Sequence, residues 1–162
     1  MDDEDEELRT HRRFGGKFNN EVWDLIDGGV DRHSPREQQD RVLYGAYASL
    51  RHWLEAGGIC EQARGEHLVS RAAVAVGYAD VAVRHARRCL ELVEARPDAM
   101  EDWDGPLAHE AVARALAAAG DRPGAEYHVK EAQRLTSLLE DPEDRAVLEQ
   151  QLSTGPWFDL VL

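Results

Sequence analysis

Apolar residues recur along this chain at intervals of three and four, and Gly or Pro breaks the pattern at spaced points. Phe14, Phe18, Val22, Leu25 and Ile26 form the first stripe, which predicts a helix near 14–27 ended by Gly28-Gly29. Ser34-Pro35-Arg36-Glu37 reads as a capping box with proline at the first helical position. Leu43, Ala46, Tyr47, Leu50, Trp53 and Leu54 carry that second helix as one stripe to Gly57-Gly58. A third helix is predicted over 59–76. After the short turn Gly77-Tyr78 a fourth begins, carries Ala82, Ala86, Cys89, Leu90 and Val93 inward, and stops before Pro97. So short a connection makes the two helices antiparallel neighbours. Residues 97–104 read as a connector, with Asp104 as N-cap of a fifth helix that ends at Gly120. Asp121 caps a sixth, Asp141-Pro142 opens a seventh, and Thr154-Gly155-Pro156 closes it.

The two ends read differently. Residues 1–13 are charged and almost free of apolar side chains, which predicts an acidic flexible arm. Residues 154–162 form an apolar tail, Trp157-Phe158-Asp159-Leu160-Val161-Leu162, expected to pack on the array or on a neighbour. Between them, 14–153 reads as a single helical-repeat domain.

The middle of the chain repeats. A shift of 43 residues lays Gly77 on Gly120, Arg71 on Arg114, Ala72 on Ala115, Ala82 on Ala125, His85 on His128 and Leu92 on Leu135. The pair Glu66-His67 falls on His109-Glu110, with its order reversed. Each copy is a helix, a Gly turn and a second helix. The strings "SRAAVAVGYADVAVRHARRCLEL" and "ARALAAAGDRPGAEYHVKEAQRL" resemble tetratricopeptide-type repeats over roughly 59–139. The period is longer than that family's usual ~34 residues. The family's helix-A tryptophan and Leu-Gly pair are missing. The whole chain is also similar to a set of uncharacterised bacterial proteins of this kind, through strings such as "ARGEHLVSR", "RHARRCLE" and "AHEAVARA". The resemblance implies an all-α, right-handed stack of antiparallel hairpins with six to seven helices. It also implies binding on the face lined by the first helix of each hairpin.

Composition narrows the function. Net charge is −13 over 162 residues, and the run from Asp2 to Glu7 supplies six of those charges. A surface this acidic argues against nucleic acid, whose phosphates call for a basic stripe, and against an anionic membrane surface. No apolar run reaches membrane-spanning length, and the acidic N-terminus is unlike a secretory leader. A cytoplasmic location is the expectation, with the two cysteines, Cys60 and Cys89, as free thiols.

The candidate chemistry is polar and helical. Arg64, Arg71 and Arg114 each offer a planar fork of donors suited to carboxylates, and Glu66, His67, His109 and Glu110 lie within about a turn of them. With Trp103 in the connector, these residues predict a polar groove that binds a protein, a peptide or a small acidic ligand. The competing reading pairs the same groups with one another across helices, Arg71 with Glu110 for instance. Another alternative is a small enzyme or metal-binding protein using His67, His109, Glu110 and Asp104, because histidine titrates near neutrality and ligates metals. No catalytic residue, cofactor or metal is assigned, since the sequence holds no HExxH, GxSxG or phosphate loop. The remaining alternative is a homodimeric structural or scaffold protein, joined through the C-terminal tail.

Overall fold

The computed structural model describes residues 3–160, and its regular structure is entirely helical. Seven α-helices follow in order: α1 (Asp3–Asp27), α2 (Arg36–Ala56), α3 (Ile59–Val76), α4 (Ala79–Ala95), α5 (Asp104–Ala118), α6 (Arg122–Ser137) and α7 (Pro142–Ser153). A 3-10 turn, Pro97–Ala99, lies in the connector before α5. Consecutive helices pair as hairpins α1/α2, α3/α4 and α5/α6. Helices α1, α3, α5 and α7 contact one another in sequence and form layer A, while α2, α4 and α6 form layer B.

The repeat seen in the sequence is a repeat of backbone. Gly77 and Gly120 end α3 and α5 with φ of 88° and 82°, a left-handed conformation that glycine adopts without strain. In both turns the next amide reaches back to the helix. Tyr78 N–H bonds the Ala73 carbonyl at 2.8 Å, and Asp121 N–H bonds that of Leu116 at 2.9 Å. Beyond each turn, Ala82 and Ala86, or Ala125 and Val129, are buried against the preceding helix. The alanines keep the axes close.

Three local expectations are corrected. The acidic segment is helix rather than arm: residues 3–13 are the opening turns of α1, while Met1 and Asp2 lie outside the described residues. Its four first-turn acids meet the positive end of the helix dipole. His11 and Arg12 tie it to α2, through His52 Nδ1 at 2.9 Å and the Ala56 carbonyl at 3.0 Å. Nor does Ser34 cap α2. Pro35 holds the capping position, and the Ser34 hydroxyl accepts instead from Asp31 N–H at 3.0 Å. A reciprocal Glu bond occurs one helix later, where Glu61 accepts from Gly58 N–H at 2.8 Å. Asp104 is the first residue of α5 rather than its cap, and its carboxylate accepts from Glu101 N–H. Asp121 and Asp141 do cap α6 and α7.

The tail packs on its own chain. Trp157 Nε1 donates to the Leu152 carbonyl at 2.9 Å, and Trp157 and Leu160 join the core of Val112, Leu116 and Ala117. Phe158 and Asp159, both at positive φ, make the turn that brings Leu160 back inward. Val161 and Leu162 lie outside the described residues. Among the described residues no helix is long and apolar enough to cross a membrane.

Candidate functional site

Each layer-A helix contributes one stripe to a shared cavity. From α1 come Asn19 and Trp23, and from α3 come Arg64 and His67. The α5 segment adds Trp103 and Leu107, and α7 adds Asp144, Val147, Leu148 and Gln151. These are i, i+3, i+4 and i+7 steps, which share a face. Together they line a cavity of about 430 Å³, within the range of small-ligand sites.

Its charges are largely spent inside the protein. Arg64 grips Asp104 with two 2.9 Å bonds, and its guanidinium lies 4.1 Å from the Trp103 ring centre. His67 is buried, with its ring 5.9 Å from that of Trp23. Asp144, on α7, is the one carboxylate among the lining residues, and no ion pair engages it among the described residues. Beside Asp144, α7 contributes the aliphatic Val147 and Leu148 and the polar Gln151, with Val147 56% exposed.

The remaining predicted residues fall into two other groups. Arg71, Glu110 and Arg114 form an ion cluster in the core, where Glu110 and Arg114 are both 0% exposed. Arg71 Nη1 donates to Glu110 Oε1 at 3.0 Å, and Arg114 Nε donates to the same oxygen at 2.6 Å. Burial alone would push the Glu110 carboxyl up. Arg71, His67 and Arg114 overcome it and hold the group at about 2. Burial lowers Arg114 to about 10 despite Glu110 beside it. Arg114 also donates to the carbonyls of Gln151, Thr154 and Pro156, and lies 4.0 Å from the Trp157 ring centre. It therefore fastens α7 and the tail to α5.

Glu66 and His109 form the third group and face layer B. Glu66 Oε2 meets His85 Nδ1 at 2.5 Å, and His109 Nδ1 meets His128 Nδ1 at 2.9 Å. Tyr47 OH approaches the other nitrogen of His85 at 3.1 Å.

The eight predicted residues thus do not make one groove. Arg64, His67 and Trp103 line the cavity, while Arg71, Glu110 and Arg114 are a structural cluster and Glu66 and His109 clasp the hairpins. Helix geometry accounts for part of this: at 100° per residue, 66 lies 200° from 64 and turns to layer B, whereas 71 shares the face of 64 and 67 and is drawn into the core by its bond to Glu110. The acid-clamp reading loses its cations, because all three arginines already hold carboxylates. His67, His109, Glu110 and Asp104 are likewise divided: His67 Nε2 stands 3.7 Å from Glu110 Oε2, Asp104 holds Arg64, and His109 turns to α6. Among the described residues no group of three or more His, Cys, Asp or Glu is placed to hold a metal.

Sequence reasoning missed Trp23 and the whole α7 wall. The i, i+3, i+4, i+7 spacing of Asp144, Val147, Leu148 and Gln151 was there to be read, but it matters only once α7 is placed in layer A. No protein-family model, curated protein or solved structure matches this chain.

Proposed function

We propose that this chain is a tetratricopeptide-like binding module without chemistry of its own, and that its layer-A cavity takes a short peptide segment of a protein partner. The observation that carries the reading is convergence. Four helices far apart in sequence each contribute one stripe to a single cavity. Packing of a core does not require that hollow.

The lining chooses the ligand. Leu107, Val147, Leu148 and the two indole rings suit an apolar or aromatic side chain. With Arg64 neutralised by Asp104, the charge left for a ligand is the Asp144 carboxylate, which favours Lys or Arg beside the apolar anchor. A net charge of −13 also draws in basic partners and repels acidic ones.

Display of random peptides on the immobilised protein tests this directly. The enriched sequences should pair an apolar residue with a basic one. Val147→Arg, at an exposed position on the rim, should weaken the selected peptides by about ten-fold or more, equivalent to ~1.4 kcal/mol. Trp103→Ala should act in the same direction. Tyr127→Arg, exposed on α6 in layer B, should leave binding unchanged. Unaltered affinity in both Val147→Arg and Trp103→Ala would remove the cavity from the mechanism.

A further inference from the structure

The two ends of the helical stack are finished differently. At the C-terminal end, α7, Trp157 and Leu160 cover the last hairpin. On the first hairpin, the flank away from α3 is covered by no helix among the described residues. There α1 and α2 enclose an open groove of about 1020 Å³, separate from the layer-A cavity. Phe18, Val22 and Leu25 from α1 and Tyr44 and Ala48 from α2 form its apolar lining. The groove opens on the side of the hairpin away from α3. Val42, Ala46 and Leu50 pack toward Leu68 and Ala72 of α3, while Tyr44, on the groove side, is 62% exposed. Gly45 holds the floor low: a Cβ there would stand 2.8 Å from Val22 Cγ2.

Elsewhere in this molecule such a hairpin flank is covered by helix. α3 lies on α1 and α2, and α5 lies on α3 and α4. The rim of the bare groove carries four carboxylates, Glu21, Asp24, Glu37 and Asp40, against two guanidinium groups, Arg36 and Arg41. Among the described residues those arginines pair along their own helix, with Asp40 at 3.8 Å and Glu37 at 3.2 Å, and both are mostly exposed. Such pairs are weak and release their partners readily.

We propose that this end groove docks an amphipathic helix of a partner protein whose apolar stripe is flanked by Lys or Arg. The shape fits a helix because the fold lays helices on this kind of flank wherever it is covered. The rim fits basic flanks by charge. A second copy of the chain fits poorly, since it would bring one acidic rim against another on molecules of charge −13 each.

The test uses the full chain, isotopically labelled, and two 18-residue helical peptides with the same leucine stripe, one flanked by Lys and one by Glu. The Lys peptide should shift amide resonances over 18–25 and 36–48, and the Glu peptide should bind at least ten-fold more weakly. Ala48→Glu separates docking from plain charge attraction. It adds a carboxylate to the rim while obstructing the apolar floor, so docking predicts at least ten-fold weaker binding of the Lys peptide. Charge attraction predicts equal or tighter binding, which would overturn the proposal. Equal affinity for both peptides would also overturn it, as would shifts confined to the layer-A cavity. A dimer by sedimentation that Ala48→Glu converts to monomer would give the groove to a second copy instead, again against the proposal. Unchanged helical circular dichroism and melting temperature in Ala48→Glu confirm that the comparison is between folded proteins.

Discussion

Hairpins α3/α4 and α5/α6 share one backbone plan and put different chemistry on it. Both turn at a left-handed glycine, and both pair the same two positions across the hairpin, 66 with 85 and 109 with 128. In the first copy that pair is a carboxylate and an imidazole, whereas in the second it is two imidazoles. One residue further along, His67 of α3 corresponds to Glu110 of α5. Arg71 and Arg114, also equivalent, converge on Glu110, which sits on only one of the two helices. Repetition therefore fixes where a side chain stands. What that side chain pairs with depends on which neighbours the stack places beside it.

The strongest way to break the equivalence is at 67 and 110. Glu110→Gln leaves two guanidinium groups, one fully buried and one nearly so, without their shared carboxylate. The expected loss is about 3–5 kcal/mol, read as a fall in the urea midpoint at neutral pH. His67→Gln, at the equivalent position of α3, removes no charge partner of that kind and should cost far less. If the two substitutions cost the same, Glu110 is not the hub of the cluster. The acid limb gives a second reading. With its folded value held at about 2, below the ordinary 4.5, the Glu110 carboxylate contributes stability above about pH 4.5. That contribution is lost as pH falls toward 2, and Glu110→Gln should show a correspondingly flatter acid limb.

Next in size are the two turns. Alanine at Gly77 or Gly120 must take a positive φ, at a cost of roughly 1–2 kcal/mol. The two should differ in a fixed direction. A Cβ at 77 meets Arg32 Cβ at 3.3 Å, whereas a Cβ at 120 meets nothing within 4 Å. Gly77→Ala is thus expected to be the more damaging of the pair, measured as the drop in thermal midpoint. A reversed order would mean that the turns are not held alike.

These turns also mark how far the sequence could be read. The glycines, the 43-residue offset and the helix ends near them follow from local chemistry, and the structure places α3 over the predicted 59–76 span. The start of α1 was not legible. Charge density at 3–13 reads as disorder until His52 and the Ala56 carbonyl are placed opposite His11 and Arg12. Likewise, Arg64, His67 and Trp103 could be nominated from residue type, but Arg71 and Arg114 look the same in sequence. Helix spacing sets Glu110 one turn from Arg114, and the competing reading pairs it with Arg71. Only the fold shows that all three are buried together, so burial could not be separated from display by inspection. The α7 wall was invisible for a related reason. A C-terminal helix of modest amphipathicity gives no sign of which neighbours it faces until its register against α5 is known.

The smallest predicted effect concerns the paired positions 66/85 and 109/128, and it sharpens the comparison most. With Nδ1 facing Nδ1 at 2.9 Å, His109 and His128 share one proton: one ring donates and the other accepts. A second proton removes the acceptor. Burial lowers both histidines from the usual 6.5. For His128 the charges of His109 and Arg87 add to that, with Glu131 opposing. For His109, Glu131 and Glu94 oppose the burial and Arg134 reinforces it. A histidine held below its unfolded value favours the neutral form in the folded chain. The stability it contributes is complete above about pH 6.5 and shrinks as the pH falls below that. His109→Glu rebuilds the chemistry of the first hairpin at the second, setting a carboxylate against His128. The imidazolium then gains a partner, and acidification over the same range should cost this variant less stability than it costs the parent. Urea unfolding at pH 8 and pH 5.5 for both proteins isolates the effect, because the other histidines are common to the two and cancel in the difference. If the two proteins lose stability equally, the equivalence of 66 with 109 is one of position only, and the side chains there do not set the pH response of the hairpin.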